Sequence, residues 1–315
     1  MMNVKHSTID FGTVAERVTA ITDTESTMLI TADNQSLVHT TEGFSEHGFA
    51  SFGKMVGFPA QFITQLGLSN PKLATDVVTD RVQRYFELKY PPFYTRSFCG
   101  EVSGVVSNKY AYFDDNQVID ILEGSPLAKM GFQNAIITPE RLHLRAIDTD
   151  NPFTIEGDDS ELFFTYFIDN SMVGQSSFKV QLGIYRLACT NGMIVPVKDF
   201  VICRQIHRGT KDIAAEFNES IAFLAEKQEN IKALITGMSE EQATIETMKE
   251  EFHESYLAKK LNLNKKETQK VIDLYQYTYG GKTKWDMANA ITEFARDLKD
   301  INRREYLERA AFKAA

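Results

Sequence analysis

The sequence predicts a mixed α+β fold, in which an antiparallel sheet follows an N-terminal helical hairpin and precedes a helical C-terminal region. Apolar residues recur with a period of about two over residues 85–205 and of about 3.6 after Gly209, the change expected where strands give way to helices. Hydrophobic residues make up 43% and aromatic residues 11% of the 315 residues, so the chain can bury a large core.

Three segments of the chain differ in their pattern of polar and apolar residues. Residues 1–43 are polar with short apolar stretches such as Met28-Leu29-Ile30, which predicts an N-terminal arm with one or two weak strands. Residues 44–210 combine helical and alternating patterns and are expected to form an α+β domain that holds the sheet. Residues 211–315 carry only helical patterns and form the predicted C-terminal region.

The helical hairpin is predicted where Phe49, Phe52 and Met55 recur at helical spacing. Gly57 suits the end of its first helix, and Pro59 suits the first turn of the second. A third helix is expected within residues 71–84.

Strands are predicted where apolar or aromatic residues alternate with polar ones, because alternate side chains of a strand point to opposite faces. These runs are residues 85–90, 93–106, 135–147, 162–168 and 178–187. Asp114 is expected to cap a helix that begins after the second run. Two tight connections between strands are predicted, one at Asn170-Ser171 with Gly174 and one at Asn191-Gly192.

The C-terminal region is expected to form amphipathic helices over residues 211–255, 264–279 and 285–310, where apolar residues follow helical spacing. Trp285 opens the last of these helices. We expect its indole to be buried against the rest of the protein, with the indole N–H on a polar partner.

Composition excludes several classes of protein. No apolar run reaches the eighteen or so residues of a membrane-spanning helix, and the N-terminus lacks a signal-peptide core, so a cytoplasmic protein without a membrane partner is predicted. The three cysteines show no C-x-x-C spacing, which argues against a disulfide framework or a cysteine zinc site. The net charge of -9 does not favour broad, nonspecific binding to duplex DNA.

No recognisable catalytic motif is present. The six histidines are scattered without metal-ligand spacing, and Gly280-Gly281-Lys282-Thr283 lacks the first glycine of a phosphate-binding loop. A nonenzymatic protein without a cofactor or catalytic metal is therefore favoured over an enzyme.

Cations interleaved with aromatic residues on the predicted sheet provide the candidate site. This combination suits single-stranded DNA, because cations neutralise the backbone and rings stack on bases. Tyr110 and Tyr112 would share one face of a regular strand, whereas Lys109 would point the other way. Ordinary packing of aromatic residues is the alternative explanation. The candidate residues are Arg96, Lys109, Tyr110, Tyr112 and Arg186.

Three blocks of sequence stand out as a combination. They are the run Arg96–Tyr110, the block Asp169–Gly174 that leads to Tyr185–Met193 with its Cys189-Thr190-Asn191-Gly192-Met193, and the run Trp285–Phe294. Together they resemble the phage and plasmid-like proteins of the domain of unknown function 932 family. The resemblance spans roughly residues 45–310 and implies a protein of mobile genetic elements.

These observations lead to two functional hypotheses. The first is a phage or plasmid-encoded nonenzymatic DNA-processing protein that binds or anneals single-stranded DNA, as a homo-oligomer. The second is a protein-binding antagonist of a host defence system, which would act on a host protein.

Overall fold

The predicted fold class is confirmed in a computed structural model of the chain. The structure describes residues 8–34, 43–186, 191–194, 201–205 and 212–315, and it is a mixture of helices and predominantly antiparallel strands with helices at the C-terminal end. Cys189, in one of the sequence blocks, lies outside the described residues.

The N-terminal segment contains a helix that the sequence pattern did not predict. Helix α1 spans Phe11–Thr22 and is capped by Asp10, whose side chain accepts from the backbone N–H of Thr13. The predicted weak strand at Met28-Leu29-Ile30 is confirmed as part of strand β1, Ser26–Ile30. Val14 and Val18 of α1 are fully buried in the main core, so this segment is packed into the protein.

The predicted helical hairpin is confirmed as helices α2, Glu46–Val56, and α3, Ala60–Ser69. Gly57 ends α2 with a φ of 83°, a left-handed conformation that glycine adopts without steric cost. Helix α4, Pro71–Glu87, follows as expected but continues past the predicted end. Residues 85–87 are therefore helical, and the prediction of a strand there is wrong, because the buried Val78, Val82 and Tyr85 continue the helical period.

Among the described residues, the strands form two sheets. Besides β1, the strands of the small sheet are β2, Gly43–Phe44; β3, Phe93–Phe98; and β4, Glu101–Ser107. Their order is β1-β3-β4-β2, and neighbouring strands pair antiparallel except for the short parallel contact of β2 with β4. Phe93 and Val105 face a core that includes Phe52 of α2 and Val82 of α4.

The strands of the large sheet are β5, Gly131–Thr138; β6, Arg141–Ile147; β7, Phe153–Ile155; β8, Asp158–Asn170; β9, Phe178–Arg186; β10, Asn191–Ile194; and β11, Val201–Gln205. The sheet is antiparallel and has the order β10-β9-β8-β6-β5, with β7 and β11 paired to β8 and β9. The predicted connection at Asn170-Ser171 is confirmed between β8 and β9, where Gly174 has a φ of 82°. Asn191 and Gly192 are instead the first residues of β10, so they belong to a strand and not to a turn.

The two faces of the large sheet differ in polarity. Leu142 and Leu144 of β6 belong to the main apolar core, together with α1 and the buried residues of helix α5, Asp115–Glu123. The alternate positions of the same strand, His143 and Arg145, point to the other face, which is covered by the C-terminal helix. The strand thus separates an apolar interior from a buried polar interface.

The C-terminal region is helical, as predicted. The chain turns at residues 297–300, so the single helix expected over residues 285–310 is two helices. Asp300 caps the second of these helices through the backbone N–H groups of Asn302 and Arg303, which explains the restart. The helices are α6, Ile213–Ala222; α7, Leu224–Glu240; α8, His253–Leu261; α9, Lys265–Asp273; α10, Lys284–Arg296; and α11, Ile301–Ala314. None of the helices in the described ranges is both long and apolar enough to cross a membrane.

Candidate functional site

Arg96 lies inside the protein, in contrast to the expectation that it faces an open groove. Its guanidinium is fully buried and ion-paired with Glu25 and, at 2.8 Å, with Asp114, and it also donates to the carbonyl of Met172. The Tyr112 ring centroid lies 4.8 Å from the guanidinium carbon. Arg96 thus connects β3 of the small sheet to the β8–β9 loop of the large sheet and offers no exposed charge to a phosphate.

Tyr110 and Tyr112 lie together in the loop between β4 and α5. Their ring centroids are 5.7 Å apart in an edge-to-face arrangement, although the segment is a loop and not the regular strand that was predicted. Tyr112 is 40% exposed, whereas the Tyr110 hydroxyl donates to the carbonyl of Ser171 at 3.0 Å. Lys109, the preceding residue, is exposed. This loop therefore presents an aromatic pair beside a cation.

Arg186 is separated from the other predicted residues. It ends β9, eight residues beyond Phe178, so about 26 Å of strand lies between it and the loop that Arg96 contacts. Both Nε and Nη2 of Arg186 donate to Asp158, at 2.7 and 2.9 Å. Asp158 also accepts from the indole Nε1 of Trp285 at 2.8 Å, which confirms that Trp285 is buried with a polar partner. Arg186 thus supports the docking of α10 on the large sheet.

Burial and hydrogen bonding compete at Asp158. Desolvation raises the pKa of this carboxyl, but its bonds to Arg186, Trp285 and Ser160 outweigh that effect and lower the pKa to about 2. The carboxylate is therefore charged at neutral pH and holds both partners.

A groove of about 780 Å³ lies between the two sheets, and we call it the inter-sheet groove. Its wall on one side is α2 and β4 of the small sheet, and on the other side the β8–β9 loop and β11 of the large sheet. Tyr110 lies at its lining, and Lys54 and Arg204 contribute exposed cations. Its polar lining includes His47, Lys54, Tyr110, Ser176 and Arg204.

His47 lies between this groove and a neighbouring cavity lined by Glu140 and Arg141. Its Nε2 is buried and has no hydrogen-bond partner among the described residues. Burial lowers the pKa of His47, so the imidazole is neutral at pH 7 and contributes a hydrogen-bonding group instead of a charge.

A row of polar residues crosses the large sheet and ends at the groove. Cross-strand pairing sets His143 opposite Asp169, Asp169 opposite Lys179, and Lys179 opposite Arg204. Directly paired residues point to the same face of a sheet, so these four side chains share one face. The row runs from a buried ionic cluster to the exposed Arg204.

The buried cluster is centred on His143, Asp169 and Glu305, whose ligand-type atoms all lie within 4.8 Å of one another. His143 Nδ1 is 2.8 Å from Asp169 and 3.0 Å from Glu305. Three cations contact the same two carboxylates, with Lys179 Nζ at 2.9 Å from Asp169 and the guanidinium groups of Arg141 and Arg309 beside both. Because the cations already outweigh the carboxylates, the cluster favours an ion-pair network over a divalent metal.

The charge state of Asp169 follows from these contacts. Desolvation raises the pKa of its carboxyl, but the hydrogen bond and charge of His143, together with Lys179, outweigh burial and hold the pKa well below its usual range. The carboxylate is thus charged, and it organises the strands β6, β8 and β9 at this point.

Asp115, at the start of α5, shows the opposite behaviour. It is 1% exposed and accepts from Asn170 Nδ2 at 2.8 Å, and Asn170 also donates to the carbonyl of Phe113. Burial raises the pKa of Asp115 to about 7. The Asn170-Ser171 block of the sequence therefore fixes the β8–β9 loop against α5, which is a structural role.

Two groups of site residues were not predicted. Lys54 and Arg204 reach the groove through tertiary packing, and no sequence pattern singles them out. The polar face of β6 did have a signal, because Arg141, His143 and Arg145 alternate with Leu142 and Leu144. Charged residues at every second position of a strand are compatible either with solvent or with a buried ionic partner, and the sequence pattern does not distinguish these.

The fold and the groove define an α+β protein of two sheets joined through buried polar contacts. Residues 102–312, more than half of the chain, match the family profile described as domain of unknown function (DUF932), and the protein belongs to this family. Comparison with curated proteins and with solved structures found no significant match.

Proposed function

We propose that the protein binds single-stranded DNA in the inter-sheet groove and acts as a nonenzymatic DNA-processing protein. The observation that supports this most is the combination of the Tyr110–Tyr112 ring pair with the exposed cations Lys54, Lys109 and Arg204. Base–aromatic stacking contributes about 1–3 kcal/mol per base, and cations along the same path bind the phosphates.

The proposed contact set differs from the five residues predicted from the sequence. Lys109, Tyr110 and Tyr112 remain, whereas Arg96 supports Tyr112 from beneath and Arg186 belongs to the α10 interface. Lys54 and Arg204 join the set because they line the groove, and neither forms an ion pair within the described part of the chain.

The size and charge of the groove limit how the strand binds. Its volume of about 780 Å³ is within the range of small-ligand pockets, so it accommodates a short stretch of strand. Lys54 and Arg204 line the groove, and Lys109 precedes the lining residue Tyr110 in the chain. With these three cations, log K is expected to fall with log salt at a slope of about −2. The net charge of -9 agrees with local binding of this kind and not with a broad basic surface.

We further propose that the protein is encoded by a phage or plasmid, works in the cytoplasm and anneals strands as a homo-oligomer. The support for this context is the resemblance of its sequence blocks to mobile-element proteins. A single short groove per chain would gain affinity for a longer strand if several copies assembled along it.

The test is a fluorescence-anisotropy titration of a labelled single-stranded oligonucleotide. We expect saturable binding whose affinity falls about 20-fold between about 50 mM and about 200 mM salt. A Lys54→Gln/Arg204→Gln variant should bind weakly and lose most of the salt dependence. The matched control is Lys265→Gln/Lys266→Gln, which removes two exposed charges outside the groove and should bind like the wild type.

Two results would contradict the proposal. One is the absence of binding by the wild-type protein at low salt, and the other is equal weakening by the groove and control variants. The second would indicate a response to total charge and not to the groove.

A second candidate function is the protein-binding antagonist, and helix α3 favours it. Phe62 is 51% exposed on α3, Leu68 is 79% exposed, and Leu73 of the following helix is 46% exposed. Large apolar side chains exposed on two consecutive helices are available to a protein partner. Copurification from plasmid-bearing cells, followed by nuclease treatment, tests this function. A host protein that stays bound to the wild type after the nuclease treatment, but not to a Leu68→Glu variant, would favour this function over DNA binding.

A further inference from the structure

A second cavity, distinct from the inter-sheet groove, lies between β5, β6 and the link from α10 to α11. It measures about 230 Å³ and shares no lining residue with the groove. We call it the basic cavity, because Arg145, Lys299 and Arg304 line it. His143, Glu305 and two apolar residues of β5 complete the lining.

The charges around the basic cavity do not cancel. Glu305 is the one acidic residue among the described residues that line it, and that carboxylate is already bonded to Arg141 and lies 3.7 Å from Arg309. Arg145 is paired with Glu308. Lys299 and Arg304 have no carboxylate partner in the described ranges, so these two side chains give the cavity its excess positive charge.

Arg145 is held in a fixed position, and the protein does not satisfy all of its donors. It is 3% exposed, its Nη2 donates to both oxygens of Glu308 at 2.9 and 2.8 Å, and its guanidinium carbon lies 4.8 Å from the Phe167 ring centroid. Its Nε is buried without a hydrogen-bond partner among the residues that the structure describes. A buried charged donor left without a partner is unfavourable, so an acceptor bound beside this guanidinium would relieve part of that cost.

Arg304 presents a second donor of the same kind. Its Nη2 donates to the carbonyl of Leu298 at 2.8 Å, which fixes the side chain across the α10–α11 link. Its Nε is also buried and unpartnered in the described part of the chain. Two fixed guanidinium groups and the exposed Lys299 thus surround one small volume.

We propose that the basic cavity binds a phosphate group, supplied either as inorganic phosphate or as a phosphate monoester. Guanidinium N–H donors match the tetrahedral oxygens of phosphate, and Lys299 adds a flexible charge at the entrance. The volume is below the range of pockets that enclose drug-sized ligands, so the phosphate group is the part that is recognised. This site is independent of the proposed DNA groove.

The test is isothermal titration calorimetry with inorganic phosphate, with chloride at equal ionic strength as the reference. We expect one phosphate per chain with a Kd of about 1 mM or below. Lys299→Gln should weaken binding at least tenfold, because it removes one of the charges that line the cavity. This exposed side chain has no ion-pair partner among the described residues that its loss would disturb. Lys313→Gln, an exposed lysine on α11, is the matched control and should bind phosphate like the wild type.

A second titration uses a phosphate monoester, phenyl phosphate, in place of inorganic phosphate. Tighter binding than inorganic phosphate would identify an ester as the ligand source, and equal binding would identify the free ion. Arg304→Gln provides a second variant, with circular dichroism to verify its fold. The absence of saturable binding to either compound, or equal weakening by Lys299→Gln and Lys313→Gln, would overturn the proposal. Oligonucleotide binding by Lys299→Gln should be unchanged, which separates this test from that of the groove.

Discussion

Replacing Asp115 with asparagine should change how stability depends on pH. Burial raises the pKa of Asp115 in the folded protein to about 7, from an ordinary value of 3.8. Between these values the folded protein holds a proton that the unfolded chain releases, so stability falls as pH rises from about 4 through about 7. The full difference corresponds to about 4 kcal/mol, of which about 2–3 kcal/mol is lost between about pH 5 and about pH 8.

Asp115→Asn removes this titration and retains an oxygen that accepts from Asn170. Urea denaturation of both proteins at several pH values, followed by Trp285 fluorescence, gives the free energy of unfolding. The variant should gain about 2–3 kcal/mol on the wild type as pH rises from about 5 to about 8, since the other titrating groups cancel in the difference. Asp120→Asn, at an exposed position of the same helix, is the matched control for the loss of one carboxyl group. An Asp115→Asn difference that stays flat between these pH values, or that has the opposite sign, would contradict a protonated Asp115 in the folded protein.

Three further predictions concern packing. Trp285 should show blue-shifted emission, and Trp285→Ala should lower the free energy of unfolding by about 3–5 kcal/mol in urea denaturation; a solvent-like emission maximum would contradict its burial. Arg96→Gln should lower the free energy of unfolding by about 3 kcal/mol. This is at the low end for a broken buried ion pair, because the two carboxylate partners keep some solvent contact. An unchanged urea midpoint would count against this role. Gly104→Ala places a Cβ 2.4 Å from the Val173 side chain and should lower the melting temperature. The control Gly124→Ala, whose Cβ meets nothing within 4 Å, should leave the melting temperature nearly unchanged. Equal effects of the two substitutions would show that the close contact is not responsible.

Much of the fold was predictable, because the spacing at which apolar residues recur along the sequence differs between helices and strands. The change of period near Gly209 placed the strands before the helices, and Gly57 and Asp114 marked a helix end and a helix start. Helix α1 was not predicted, although Phe11, Val14 and Val18 lie at helical spacing, because the polar residues between them are also typical of an irregular arm. The spacing of apolar residues also does not indicate which strands pair with each other, so the division into two sheets was not predicted.

The candidate site was less predictable, because residue type does not determine burial. Arg96 and Tyr112, both members of the predicted set, are in contact. The sequence did not indicate that Glu25 and Asp114 enclose the guanidinium, because these partners come from other segments of the chain. Lys54 and Arg204 were likewise not predicted, because only the packing of the folded chain brings them to the groove.

The environment of Arg96 has a consequence for the folding pathway. Its three polar partners lie 71, 18 and 76 residues away in sequence, on different elements. The small sheet alone would leave this guanidinium without the Met172 carbonyl and without cover from the β8–β9 loop. Closing such long chain segments is slow relative to forming local hairpins. We therefore expect the two sheets to consolidate in one late, cooperative step, and not as separately folding units.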